Sequence, residues 1–316
     1  MSKYSTLIGS GSYGCIVIPP INDNIIEIKK KYKNQNKNDI GKVFKKNVNG
    51  RKEAITEFKQ YIDTASNIKN YCKIVPKIKG YIIHSNVNNI NIGKCINNSF
   101  SNGNIHQLIY ENAGLSFYDY PKGKLTYKNI INMLKVFLKN FYYYVEAGKI
   151  HSDINCGNIM IKDDKILLID FGLEKNKDNI FDRNKGLKYF KYKYIFYPPE
   201  FRLLYFKKIK NDIQTLNYGF SNLKDLIKYY NFDIMTKKYI LKEIHDLINN
   251  FNVDYKKFDI YALGINLFLI RDKILFANDE IDKFNYLIKK MMEPNPNKRF
   301  SILEIMKVNY ELGKKT

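Results

Sequence analysis

Apolar positions along the chain follow two different periods. From Tyr4 to Ile18, β-branched residues flank Gly9, Gly11 and Gly14 on both sides, which predicts a strand, a glycine-rich turn and a second strand beginning almost at residue one. The Asn/Lys-rich stretch from Asn22 to Asp39 is expected to be an extended hairpin loop, and Ile40 to Phe44 a short apolar strand. From Arg51 to Ile68 the spacing becomes helical, with Ala54, Ile55, Phe58, Tyr61, Ile62 and Ala65 on one face. Tyr81–His84 and His106–Tyr110 read as two further strands, separated by an Asn/Gly/Ser-rich surface connector.

After Gly114 the pattern turns helical, first around Leu115 to Tyr118 and then over Asn129 to Ala147, where aromatic and aliphatic residues crowd one side. Short strands are expected at Ile159–Ile161 and Lys165–Ile169, joined by a turn at Asp163-Asp164. The remainder reads as helix, including Leu223–Tyr230 and Tyr239–Phe251. The expected fold class is therefore α+β and bilobal, with a small antiparallel β-rich lobe over 1–113 and a larger, mainly helical lobe over 114–316. No internal repeat is visible.

A chain of 316 residues, 45% of them hydrophobic, is long enough to bury cores of this size. The 53 Lys+Arg against 31 Asp+Glu give a net charge of +22, which raises weak polyanion or nucleic-acid binding through a basic surface as a partner class. Richness in Lys, Asn, Ile and Tyr together matches AT-rich coding sequence, so a merely solvated surface explains that charge equally well. Cys15, Cys72, Cys95 and Cys156 stand far apart without a C-x-x-C pair, which argues against a zinc site and a disulfide framework and fits a reducing compartment. No charged-then-apolar leader precedes the first motif, and the longest apolar run, Ala262 to Ile270, is too short to span a bilayer. A cytoplasmic monomer without a transmembrane segment is the expectation.

Chemistry concentrates in two stretches. Gly9-Ser10-Gly11-Ser12-Tyr13-Gly14, followed by Cys15-Ile16-Val17, fits a flap whose backbone N–H groups lie over nucleotide phosphates, because β-favouring residues rather than a helix follow it. An ordinary hairpin turn explains the hexapeptide alone equally well. In His151-Ser152-Asp153-Ile154-Asn155-Cys156-Gly157-Asn158, an Asp and an Asn five positions apart on one loop can face one cavity. Asp153 would accept a hydroxyl proton there while the Asn158 amide oxygen binds a hard cation. Asp170, in Asp170-Phe171-Gly172, can complete that cation site.

These stretches resemble the H-R-D-x-x-x-x-N loop and the D-F-G segment of eukaryotic-type protein kinases, and the resemblance covers nearly the whole chain. It implies ATP and Mg²⁺ as cofactors and a protein substrate. It further implies Asp153 as catalytic base, Asn158 and Asp170 as Mg²⁺ ligands, and Gly9, Ser10, Gly11, Ser12, Gly14, Ile16 and Val17 around the nucleotide. Lys42, with Ile40 before it and Val43 and Phe44 after it, is preferred over Lys45 and Lys46 as the strand lysine; Glu57 is its expected helix partner, with Glu53 the runner-up. Tyr110-Glu111-Asn112-Ala113 corresponds to the hinge, so Glu111 and Ala113 are expected to present backbone groups to adenine. Pro198-Pro199-Glu200, Asp259 to Gly264 and Pro294 to Arg299 resemble three later elements that small-molecule kinases generally lack, with Glu200 and Arg299 expected to form a buried pair.

The chain also departs from the family pattern. Ser152 replaces the arginine that receives an activation-loop phosphate, and no Ser or Thr lies between Gly172 and Pro198, which predicts a kinase independent of activation-loop Ser/Thr phosphorylation. Tyr189, Tyr192, Tyr194 and Tyr197 leave tyrosine autophosphorylation open. Asn155 stands where Ser/Thr kinases carry a lysine, yet the loop lacks the tyrosine-kinase pattern, so protein Ser/Thr hydroxyls are the expected acceptors. An insertion is expected over about 201–256. The bare domain and composition resemble kinases of large DNA viruses, which would place the protein in a host cytoplasm or a virion. A pseudokinase-like scaffold and a small-molecule kinase are the alternatives.

Overall fold

A computed structural model of the chain describes residues 5–10, 14–22, 25–30, 38–44, 48–85, 104–179, 194–201, 203, 237–249, 253–277 and 279–314. Two compact units divide it, Met1–Ala113 and Gly114–Thr316. Gly11, Ser12, Lys45, Lys46, Tyr189, Tyr192 and the segment Leu223–Tyr230 lie outside the described residues.

The first unit is built on a six-stranded antiparallel sheet: β1 (Thr6–Ser10), β2 (Gly14–Ile18), β3 (Ile25–Lys30), β4 (Ile40–Phe44), β5 (Ile78–His84) and β6 (Ile105–Tyr110), in the order β1-β2-β4-β6-β5-β3. Alternation along each strand sorts side chains onto two faces. One face carries Val17, Ile21, Val43 and Ile105 as an apolar cluster. On the other, Phe44, Tyr81, Ile83 and Leu108 meet Ala54 of helix α1 (Val48–Asn67), with Phe58 and Tyr61 against them. Gly14 has a packing reason to be glycine, since a Cβ there would lie 2.0 Å from the carbonyl oxygen of Val43 on the neighbouring strand.

Two segments differ from the sequence expectation here. Asn22–Asp39 is not all loop, because β3 pairs with β5 along the sheet edge; an edge strand needs only one partner and tolerates the Asn/Lys-rich flanks that disguised it. Cys15 is disulfide-bonded, against the expectation of isolated thiols, while Cys72 and Cys156 are free.

The second unit is mainly helical. Helix α2 (Tyr127–Glu146) begins at Thr126, whose hydroxyl accepts from the Asn129 N–H at 3.2 Å, and it buries Ile130, Met133, Leu134, Phe137, Leu138, Phe141 and Tyr144 at helical spacing. The unit's other helices are α3 (Lys237–Asn249), α4 (Phe258–Leu269), α5 (Glu280–Met291) and α6 (Ile302–Lys314). Helix α4 is buried from Phe258 through Leu267, and Gly264 lets α5 approach, since a Cβ there would lie 2.8 Å from the Met291 side chain. Short strands β8 (Leu125–Thr126) and β9 (Lys149–Ile150) flank α2, and strands β10 (Ile159–Lys162) and β11 (Lys165–Leu168) form a hairpin turned by Asp163 and Asp164 at φ 48° and 54°, the left-handed pair that a two-residue turn requires. Leu115–Tyr118 is not helical: Leu115 and Ser116 form strand β7 against β10, and the Ser116 hydroxyl donates to Asp119 at 2.6 Å to close a turn. Gly114 fixes that entry, its φ of 87° and its approach to the Ile161 carbonyl excluding any side chain. Among the described residues no helix is long and apolar enough to cross a membrane.

An antiparallel β-sheet region followed by a helical region is the α+β arrangement that the two apolar periods imply.

Candidate active site

In the second unit, the loop between Ile150 and Ile159 is held from below by Asp259, at the start of α4. Its carboxylate accepts the backbone N–H of His151 at 2.7 Å and of Ser152 at 3.1 Å. Those bonds hold Ser152 at φ 57°, a conformation that a non-glycine residue adopts only under constraint. Burial pushes the Asp259 carboxyl up to about 7, opposed by the two N–H donors. His151 is wholly buried and packs on Phe171 with ring centroids 4.4 Å apart. Its Nδ1 accepts the Asp153 N–H at 3.3 Å, so Nε2 carries the proton and donates to the Ile169 carbonyl at 3.1 Å. Burial lowers its pKa and keeps the ring neutral.

This platform presents Asp153. The Asn158 side-chain NH₂ donates to the Asp153 carboxylate at 3.0 Å and to its backbone carbonyl at 2.9 Å, which turns the Asn158 amide oxygen away from Asp153. The Ile169 N–H donates to the Asn158 carbonyl at 3.0 Å, setting Asp170 one residue beyond it. Asp170 itself adopts φ 61°, ψ 70°. The Asn158 amide oxygen and the Asp170 carboxylate are hard-oxygen donors of the kind Mg²⁺ takes. Among the described residues no group of three His, Cys, Asp or Glu gathers as a metal site.

In the first unit, Lys42 and Ile16 are direct partners across β2 and β4 and share the α1 face of the sheet. Lys42 Nζ donates to both carboxylate oxygens of Glu57, at 3.0 and 2.8 Å. Glu57 also accepts the Tyr110 hydroxyl at 2.5 Å, so strand, helix and the end of β6 meet at one carboxylate. Both of these bonds go to Glu57, the preferred of the two candidate partners. Val17 lies on the opposite face within the apolar cluster, apart from Ile16 and Lys42. The Glu111 N–H donates to the Lys77 carbonyl at 2.9 Å, so that donor serves the fold, and Ala113 is buried. Gly9 sits in β1 with room for a methyl group, a Cβ there meeting Ile16 at 3.8 Å, and Ser10 ends the strand.

The family described as protein tyrosine and serine/threonine kinase matches residues 3–214, well over half of the chain. The chain belongs to this protein kinase family. No curated protein matches it. An internal lock joins the matched residues to the rest of the kinase: Arg299, beyond the match, donates to Glu200, within it, through two nitrogens at 2.6 and 2.9 Å, with both side chains fully buried. Arg299 also donates to the carbonyls of Glu293, Pro294 and Lys257, which uses all five of its N–H groups.

Two contacts of the kinase escaped the sequence reading. Tyr110, read as the start of the hinge, donates its hydroxyl to Glu57 in the first unit, and Tyr194, read as one of the activation-loop tyrosines, donates its hydroxyl to Asp153 Oδ1 at 2.5 Å in the second. Motif spacing points to neither contact; the only signal for Tyr194 was that tyrosines are the sole hydroxyl side chains between Gly172 and Pro198.

Proposed function

We propose that the chain is a catalytically active protein kinase that transfers the ATP γ-phosphoryl group to Ser/Thr hydroxyls of proteins. The observation that carries this reading is the seating of Asp153: a carboxylate fixed by Asn158, on a loop whose backbone is tied to Asp259. Asp153 is the general base and takes the proton of the acceptor hydroxyl. Asn158 and Asp170 would hold Mg²⁺, and Mg²⁺–ATP when bound would supply the phosphoryl group, leave as ADP and have its developing charge neutralised by the metal. In the first unit Lys42, oriented by Glu57, would bind the nucleotide phosphates, and Gly9, Gly14 and the backbone of Glu111 and Ala113 would bind the rest of the nucleotide.

Transfer proceeds without a phosphorylated Ser or Thr in the activation loop. Support comes from Ser152, whose hydroxyl donates to the Leu173 carbonyl at 2.6 Å and so ties the base loop to the segment after Asp-Phe-Gly by a neutral bond. No phosphate is required for that link.

The test is transfer of labelled phosphate from Mg²⁺–ATP to mixed protein substrates, followed by phosphoamino-acid analysis. Phosphoserine and phosphothreonine are expected, and Asp153→Ala is expected to lower turnover roughly 10²- to 10⁴-fold. Absence of transfer by the wild type would leave a scaffold, and label confined to a metabolite would make it a small-molecule kinase. Label on tyrosine alone would remove the Ser/Thr assignment. Mass spectrometry alongside the assay is expected to show that activity requires no phosphate on residues 173–197.

A further inference from the structure

Asp153 has more partners than a base awaiting a substrate requires. Its Oδ1 accepts the Tyr194 hydroxyl at 2.5 Å and the Asn155 NH₂ at 3.2 Å, while Oδ2 accepts the Asn158 NH₂ at 3.0 Å. A carboxylate oxygen offers two lone-pair sites, so Oδ1 is filled and Oδ2 retains one. Asn155 and Tyr194 are also joined to each other, the Asn155 NH₂ donating to the tyrosine hydroxyl oxygen at 3.1 Å. Tyrosine hydroxyl, amide and carboxylate therefore close a three-membered hydrogen-bond ring on one side of the proposed base.

Tyr194 is not loosely placed. Its ring packs against Phe196 and Tyr197, each with centroids 5.1 Å away, at the edge of the apolar cluster of Ile150, Tyr197, Phe201 and Phe258. Burial and then the Asp153 carboxylate push its phenol far above the ordinary tyrosine range, so at neutral pH it is a proton donor. A donor anchored by its ring and by two polar partners has the properties of a fixture. A tyrosine poised to leave as a plug, or to serve as a phosphoryl acceptor, would have to break all of these contacts.

We propose that Tyr194, acting with Asn155, is a positioning residue that orients the Asp153 carboxylate and reserves Oδ2 for the acceptor hydroxyl. This rests on the kinase reading above. The pair supplies neutral donors at a loop that lacks both the arginine replaced by Ser152 and the lysine replaced by Asn155. With Oδ1 saturated, the carboxylate is held against rotation about its Cβ–Cγ bond, and the incoming hydroxyl has one oxygen to which it can give its proton.

Tyr194→Phe keeps the ring and its packing and removes only the hydroxyl. Wild type, Tyr194→Phe, Asn155→Ala and the double variant are compared by steady-state kinetics, with thermal unfolding and Mg²⁺–ATP affinity measured alongside. Tyr194→Phe is expected to lower kcat roughly 10- to 100-fold, the scale of one lost hydrogen bond to a charged group. KM for both substrates, nucleotide affinity and Tm should stay near wild type. Asn155→Ala should act in the same direction, and the double variant should lose less than the product of the two single losses, because both donors serve one oxygen. Should Tyr194→Phe fold poorly, Asn155→Ala carries the same kcat test from the other side of the ring.

Unchanged kcat in Tyr194→Phe would reduce Tyr194 to a packing residue and overturn the proposal. A rise in kcat would make it an inhibitory plug, and phosphate found on Tyr194 as a condition of activity would make it an acceptor; either result also overturns it. An inactive wild type defeats the kinase reading itself, whereas an active wild type with an unaffected Tyr194→Phe defeats this inference alone.

Discussion

Two ion pairs of similar geometry sit in opposite surroundings. Glu200–Arg299 is bidentate with neither side chain exposed, and backbone carbonyls complete the arginine's bonding. Lys42–Glu57 has similar contact distances, but its side chains keep 14% and 19% exposure and the pair spans a strand and a helix rather than a closed core. The first pair cannot separate without leaving a charge in a site that water does not reach, so it is architectural. The second keeps some access to water and is expected to open at lower cost than the first, which suits the nucleotide role proposed for it. Similar hydrogen bonds thus differ in burial, and burial is expected to decide how much each adds to stability.

Breaking the buried pair should have the largest effect. Arg299→Ala leaves Glu200 charged and enclosed, and is expected to cost about 3–5 kcal/mol of stability in chemical denaturation. A loss under about 1 kcal/mol would mean that water enters the site and that the contrast with Lys42 is false. Next comes Lys42→Met, expected to reduce turnover on the order of 10²-fold or more while shifting stability by about 1 kcal/mol or less. Glu57→Gln should follow it in the same direction. Were Lys42→Met to unfold the protein, this partly exposed pair would be structural after all.

A third experiment extends the comparison to pH. Burial raises the Asp259 carboxyl to about 7 in the fold, above its unfolded value, so the folded chain binds that proton more tightly. Its contribution to stability is therefore complete below the unfolded value, near 4, and lost as pH rises through about 7. Relative to Asp259→Asn, the wild type should lose at least about 1 kcal/mol, or ~2–4 °C in Tm, between pH 4 and pH 7. Parallel Tm curves over that range would show that the two N–H donors offset the burial. The smallest change is expected from Thr126→Ala, which removes the cap of α2 at about 1 kcal/mol without affecting turnover.

Much of the fold follows from local pattern because the responsible forces are local. Helix α2 follows from apolar spacing, and the β10–β11 turn from an Asp-Asp pair that tolerates positive φ. Strand β3 was obscured because only its edge position makes a Lys/Asn-flanked run pair. Leu115–Ser116 misled for a related reason: a two-residue strand has no period, and β10 decides its state. Ile16 and Val17 cannot be separated by motif reading alone, whereas strand alternation sends Val17 to the apolar cluster and Ile16 to the face of Lys42.

By itself the amino-acid sequence determined which chemical groups are available and in what order: an aspartate and an asparagine five apart, a lysine in an apolar strand, and an activation loop without Ser or Thr. Tertiary structure decided their company. Asp259 reaches the base loop across more than one hundred residues, Tyr194 reaches Asp153 across 41, and Tyr110 reaches Glu57 across 53. A hydrogen bond acts over about 3 Å, and no pattern along the chain records which distant residues folding will bring within that range.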